Sequence, residues 1–194
     1  MSSADEGGVR RLPTGAHGIP ADVVARNQRE RLIAATAEAC GEGGYAETSV
    51  AELAHRAGVS TATFYKLFAG KLECALEAHR ELSGRLLEEV DRACARAGEA
   101  KVRAAVRTLL DLLAADAPTA RLLTIEVLAL GPAGAKRNDA TIEDFAARLR
   151  AGRQVSNAEW SMVAGIAMLI GKRVMAGEAA GLPELEDELV AMLT

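Results

Sequence analysis

Thr48-Ser-Val-Ala-Glu-Leu-Ala-His-Arg-Ala-Gly-Val-Ser-Thr-Ala-Thr-Phe-Tyr-Lys-Leu-Phe-Ala-Gly-Lys71 is the stretch whose reading decides the fold. It reads as two short helices joined by a sharp turn. Ser49 followed by Glu52 is a capping-box pattern, which starts a helix at Ser49 or Val50. Leu53, Ala54 and Ala57 give that helix one apolar face. Gly58 stands just past its end, where a left-handed residue reverses the chain without a Cβ clash. Val59 can plug the turn, and Ser60 can cap the second helix by accepting from a backbone N–H. Phe64 and Leu67 form the inward face of that helix, while Thr61, Ala62, Thr63, Tyr65 and Lys66 point elsewhere. Ala54 lets the helices touch, Gly58 makes the turn and Phe64 locks the crossing, which is the spacing of a DNA-binding helix-turn-helix. An αα-corner in an ordinary core shares this short pattern, so the flanks must separate the two.

An Arg- and Ala-rich helical stretch, Arg26 to Cys40, leads into Gly43-Gly44-Tyr45, and Phe68-Ala-Gly-Lys71 opens a long helical pattern. The order Gly44-Tyr45, Thr48-Ser49-Val50-Ala51, Ala57-Gly58-Val59-Ser60, Phe64-Tyr65, Phe68, Lys71 resembles the N-terminal domain of TetR-type transcriptional regulators, over roughly residues 26–80. Three positions depart from that pattern: Leu67 where the family often has His, Cys40 where it often has Phe or a large aliphatic, and Leu72 where it often has a carboxylate. Leu67 removes one expected phosphate contact. The resemblance implies an all-α protein of about nine helices: a three-helix helix-turn-helix domain over residues 21–70, then a larger helical effector-binding and dimerisation domain over 71–194. It implies that Thr48, Ser60, Tyr65 and Lys71 hold phosphates while Thr61, Ala62, Thr63 and Lys66 face base edges. Side-chain chemistry agrees, because hydroxyls and a phenol donate to phosphate oxygens and Lys66 can reach guanine acceptors.

The chain has 194 residues, 49% of them hydrophobic and 26% charged, with a net charge of −4. This is a folded globular composition with no global basic excess. Between Ala21 and Lys71, six cations (Arg26, Arg29, Arg31, Arg56, Lys66, Lys71) balance six anions (Asp22, Glu30, Glu38, Glu42, Glu47, Glu52). A local face must therefore do any DNA binding. Cys40, Cys74 and Cys94 lie in helical patterns and are expected to pack as thiols in a reducing cytoplasm, with no metal spacing to His17, His55 or His79. Residues 1–20 show no periodicity and are expected to form an unstructured tail; Arg10-Arg11 lacks the apolar segment that a twin-arginine signal needs. The longest uncharged run near the C-terminus, Trp160 to Gly171, is too short to span a bilayer.

The remaining periodicities lay out the larger domain. In the first helix Leu32, Ile33, Ala37 and Cys40 face inward, and Gly41, Gly43 and Gly44 stop it. Lys71 to Gly98 reads as one helix about 40 Å long with a stripe of Leu72, Ala75, Leu76, Leu82, Leu86, Val90 and Ala93. Val102, Val106, Leu109 and Leu113 mark the next helix, ended near Asp116-Ala117-Pro118. Leu122, Leu123, Ile125, Val127, Leu128 and Leu130 are apolar almost all round, which predicts a buried helix, broken by Gly131-Pro132-Ala133-Gly134. Ile142, Phe145 and Leu149 mark another helix, ending at Gly152. Ser156 with Glu159 is a second capping box, opening a helix from Asn157 to about Ala176. The last helix, Pro183 to Leu193, carries Leu185, Leu189 and Leu193 on one stripe.

Chemistry outside DNA binding finds little support. Gly58-Val-Ser60-Thr-Ala62 approximates a nucleophile elbow, but no strand precedes it, and Gly70-Lys71 lacks the upstream glycine of a phosphate loop. No enzyme, cofactor or metal site is expected. The expected function is a sequence-specific, homodimeric regulator, most simply a repressor, released from double-stranded operator DNA by a small apolar effector. The rival is a helical ligand-binding or protein-interaction module whose helix-turn-helix no longer binds DNA. Glu126, Phe145 and Trp160 are the candidate effector contacts, although Glu126 reads more readily as a residue on an exposed helix edge. Since Phe145 and Trp160 are the only aromatics outside the first domain, the pocket should be aliphatic and Met-lined. Ala164, Ala167, Ile170, Leu185 and Leu189 are the candidate dimer contacts, in a four-helix bundle of the last two helices with their copies, unless they fill an ordinary monomer core.

Overall fold

The structure, a computed structural model, describes residues 20–150 and 154–194. The tail expected over 1–20 lies outside the described residues except for Pro20, as does the expected helix stop at Gly152. The described residues form helices and no strand: α1 (Ala21–Gly43), α2 (Val50–Arg56), α3 (Thr61–Leu67), α4 (Lys71–Ala97), α5 (Lys101–Ala115), α6 (Ala117–Arg121), α7 (Val127–Ala129), α8 (Gly131–Leu149), α9 (Asn157–Met175) and α10 (Glu186–Leu193). One π-helical turn, Leu122–Glu126, joins α6 to α7, and a 3-10 segment, Ala179–Leu185, precedes α10. None of these helices is long and apolar enough to cross a membrane.

Seven-residue helices such as α2 and α3 are too short to persist alone, so their stability is borrowed from packing. Phe64 and Leu53 are fully buried among Leu32, Ile33 and Cys40 of α1, and each such side chain contributes roughly 1.5–3 kcal/mol. Their ends are capped as the sequence predicts. Ser49 accepts from the Glu52 N–H at 3.1 Å and Ser60 from the Thr63 N–H at 3.0 Å. The box at Ser49 is only half formed, because the Glu52 carboxylate turns to Arg56. At Ser156 both halves are present. Gly58 takes φ 61° in the turn, as required.

Beyond α3 the core divides around α4. Leu110, Leu113, Ile170, Leu182 and Leu189 gather α5, α9 and the C-terminal segment; Leu87, Val90, Phe145 and Val163 gather α4, α8 and α9. The buried face of α4 keeps Ala75 and Val90 of the expected stripe, with Leu82 and Leu86 partly covered beside it, but is otherwise turned from it. It runs through Cys74, Ala75, Ala78, His79, Ser83, Leu87 and Val90, and Leu72 is 42% exposed. Small residues at Cys74, Ala78 and Ser83 let neighbouring helices approach α4 closely, and close approach overrides hydrophobicity in choosing the face.

Four further expectations are corrected. Ile125 is only partly covered and Leu128 is 57% exposed, so the apolar run of residues 122–130 is not buried all round. Gly131-Pro132-Ala133-Gly134 ends the preceding helix but is itself the first turn of α8, where Pro132 has no needed N–H to lose. Pro183 sits inside the 3-10 segment, and α10 begins only at Glu186. Ile170, Leu185 and Leu189 are 1%, 5% and 0% exposed within the single chain, so they fill its own core and cannot form the expected dimer seam.

Gly41 does not stop α1, which continues to Gly43. It is the point of closest approach to α6: a Cβ there would lie 2.4 Å from Pro118 Cα. Gly84 on α4 has nothing within 4 Å of an added Cβ. Gly41→Ala should therefore lower unfolding stability by about 1–3 kcal/mol, whereas Gly84→Ala should raise it by roughly 0.5–1 kcal/mol, both read from urea denaturation.

Candidate functional site

With Phe64 and Phe68 turned inward, α3 presents Thr61, Ala62, Tyr65 and Lys66 to solvent, with Thr63 partly covered. Tyr65 is 60% exposed and braced edge-on by Phe64, ring centroids 5.5 Å apart. Ser60 is exposed, but its hydroxyl already serves the α3 N-terminus and lies 2.9 Å from Thr63 Oγ1. This face is held from behind by Arg31, which the sequence reading did not single out. Its guanidinium donates to the Ala57 and Gly58 carbonyls, at 2.8 Å from Nε and 2.9 Å from an Nη respectively, and so ties the turn to α1. A buried arginine one helix upstream of a Gly-containing turn leaves no periodic signal.

Two expected phosphate contacts are otherwise employed. Thr48 is 4% exposed, and its hydroxyl donates to the Gly44 carbonyl at 2.9 Å. The Lys71 ammonium donates to the carbonyls of Tyr45, Ala46 and Thr48 at 2.9, 3.3 and 2.8 Å and lies 4.3 Å from the Tyr45 ring centroid. Three carbonyls match the three N–H donors of the ammonium, so Lys71 fastens the α1–α2 loop onto the start of α4.

A cavity of about 480 Å³ opens among α4, α5, the π turn, α8 and α9. Its walls are mostly aliphatic, with Phe145 and Trp160 both present, alongside Ala164, Ala167, Met168 and Ile170. Polar groups are few: Ser83, Thr124, Asn138, Thr141, Asp139 and Lys172. The size and lining suit an apolar small molecule.

Glu126 is not in this lining, nor is it on an exposed edge. It is 6% exposed, and its carboxylate accepts from the Tyr45 backbone N–H at 2.7 Å and from Arg121 Nε at 2.9 Å. The π turn thus faces both ways. Leu123, Thr124 and Ile125 meet the cavity, while Leu122 is part of the helix-turn-helix core and Glu126 grips the α1–α2 loop. A π turn adds a residue to a helical turn, which breaks the one-face periodicity that a sequence reading relies on.

Residues 32–78 match the family described as bacterial regulatory proteins, tetR family. The matched segment spans the second half of α1, all of α2 and α3 and the start of α4, so the helix-turn-helix of this chain is of the tetR type. Proteins of this family are DNA-binding transcription regulators. Among solved structures, the fatty acid degradation regulator FadR from Bacillus halodurans shares the fold with TM-score 0.74 and 20% identity, over 86% of this chain and 94% of that one. FadR from Bacillus subtilis, in complex with stearoyl-CoA, gives 0.71 and 18%, over 84% and 96%. A transcriptional regulator from Rhodococcus gives 0.61 and 26%, over 85% and 93%. No curated protein matches the chain.

His79 lies on the α4 face toward the π turn, fully buried, with neither ring nitrogen in a well-formed hydrogen bond. Burial pushes its pKa down from 6.5 to about 4; the nearby Leu123 backbone opposes this, and the Arg137 charge adds to it. Above pH 6.5 both folded and unfolded imidazoles are neutral and the contribution to stability is complete. As pH falls toward 4 the unfolded chain alone takes up the proton, so stability is lost. Between pH 7 and 4.5, His79→Leu should lose about 2–3 kcal/mol less stability than the unmodified protein, measured by urea denaturation at each pH.

Proposed function

We propose that the chain is a one-component repressor whose α3 enters the DNA major groove and whose cavity holds the effector that releases it. Residues 21–70 act as the DNA-binding unit and 71–194 as the effector-binding and dimerisation unit. The observation that carries this reading is the double-faced π turn, which lets one turn of helix meet both the cavity and the helix-turn-helix.

In this reading Thr61, Ala62, Thr63 and Lys66 face base edges, and Ser60 and Tyr65 face phosphates. Thr48 and Lys71 act one step back, by holding the loop that presents α2. The effector is elongated and apolar, of the acyl class. Its support is the aliphatic cavity and the shared fold with the Bacillus subtilis protein that holds stearoyl-CoA. Dimerisation uses α9 at the rim of the cavity, where exposed Gly165 lies beside Ala164, Ala167, Met168 and Met175, which also border the cavity, in place of the stripe on α10. Effector contact with Leu123, Thr124 and Ile125 shifts the π turn, and Glu126 passes the shift to Tyr45 while α4 passes it to Lys71.

DNA selected from a random pool and re-measured by mobility shift across a salt series tests the DNA arm. Lys66→Ala should cost about 1–3 kcal/mol on the best site and relax preference at one base. Lys71→Ala should weaken all sites while leaving the salt slope unchanged, since its ammonium releases no counterion; a slope lowered by about 1 would make it a direct phosphate ligand after all. Absence of any selected sequence at physiological salt would favour a module that has lost DNA binding, a rival that the chain's net charge of −4 keeps in play. For the coupling, operator DNA should weaken binding of a long-chain acyl ligand, as reciprocity requires. Glu126→Gln should shrink that coupling without changing acyl affinity in the absence of DNA, both followed by calorimetry.

A further inference from the structure

A second recess lies on the same helix pair as the large cavity. It is a groove of about 470 Å³ between the starts of α4 and α8, floored by Leu72, Leu76, Ala133 and Ala140. Along α4, Leu72, Leu76, Arg80, Ser83 and Leu87 follow at intervals of three or four residues and so share one stripe. The first three line the groove and the last two line the large cavity. On α8, Ala133 and Arg137 line the groove, and Thr141 and Phe145, continuing at intervals of four, line the cavity. The two recesses therefore lie end to end along one seam, about one helical turn, ~5 Å, apart.

The groove is charged where the cavity is not. Arg80, Lys136 and Arg137 line it together with Glu73 and Glu77. The Glu77 carboxylate is taken by Arg29 and Arg80, and Glu73 accepts from the Ala69 N–H. Lys136 and Arg137 make no ion pair among the described residues, and Arg137 Nε is buried with no hydrogen-bond acceptor. A buried donor without an acceptor is costly, so the unpartnered Arg137 Nε in the wall of the groove signals an acceptor that belongs there. Guanidinium and ammonium side by side match a phosphate group, the first by its forked donors and the second as a point charge.

We propose that the α4–α8 groove binds the phosphate-bearing head of an amphiphile whose apolar tail occupies the large cavity, with Arg137 and Lys136 as its ligands. This rests on the large cavity being the effector site. It turns an apolar pocket into one that selects a phosphate-headed, tailed molecule over a neutral one of equal length.

Trp160 is the only tryptophan in the chain and lines the large cavity, so its fluorescence reports occupancy there. Dodecyl phosphate, dodecanol and inorganic phosphate are titrated into the full chain and into Lys136→Gln/Arg137→Gln. Dodecyl phosphate should bind the unmodified chain about 10–100-fold more tightly than dodecanol, the range expected for one or two charge-assisted hydrogen bonds. The double variant should abolish that advantage while dodecanol affinity stays unchanged, which also shows that the variant is folded. Inorganic phosphate, followed by calorimetry, should bind far more weakly than dodecyl phosphate. Equal affinity for the alcohol and the phosphate ester, or an advantage that survives in the variant, overturns the groove as a phosphate site and leaves the apolar effector reading standing. Inorganic phosphate binding as tightly as the ester would make the groove a free-phosphate site and overturn its link to the cavity. No response to either alkyl compound would remove the effector reading itself and the proposal with it.

Discussion

A carboxylate taken out of water must find partners, and the placement of Glu126 makes that requirement structural. Its two acceptor bonds go to different parts of the chain: Arg121 on the same helical rod and the Tyr45 N–H at the start of the α1–α2 loop. Satisfying the buried charge therefore fixes where the helix-turn-helix sits on the rest of the protein. Gly41 against Pro118 and Leu122 within the first core strengthen the same joint by close approach and burial. Tyr45 is then held from both sides, because Lys71 donates to its carbonyl.

That joint leaves few side chains for the proposed DNA-facing surface. Every strong donor behind α3 has an internal use: Arg31 closes the turn, Arg29 spans Glu77 and Glu81 and sits 5.0 Å from the Phe68 ring centroid, and Arg56 pairs with Glu42 and Glu52. What remains outward on α3 is a short row of hydroxyls, one phenol and one lysine. On the proposed reading such a face would meet a groove by fit and a few directed contacts, in keeping with a segment that carries no net charge.

The cavity and the π turn are linked by the same economy of space. Adding a residue to the turn between α6 and α7 rotates Ile125 and Leu128 off the core side, where they border the cavity, while Leu122 and Glu126 stay against the first domain. A ligand that presses on Leu123 or Ile125 presses on a helical segment with poorer hydrogen-bond geometry than an α-helix, which is where a helix gives most readily. The buried thiols take no part in this. Burial pushes Cys40 and Cys74 up to about 11, so both remain protonated packing groups.

Much of this was legible in the chain itself. Short-range signals decided the caps at Ser49, Ser60 and Ser156, the reversal at Gly58, the inward placing of Phe64, and the all-helical order, because each depends on neighbours within four residues. What only tertiary structure decided depends on contacts between distant segments. It turned Thr48 and Lys71 inward to backbone carbonyls, and it made Glu126 a buried brace. It chose the small-residue face of α4 over its leucine stripe and drew Leu185 and Leu189 into the core of their own chain. None of these has a local signature. A lysine binds three carbonyls or a phosphate with the same side chain, and a leucine stripe fills a core or an interface with the same periodicity. The choice is made by which partner the fold brings within reach.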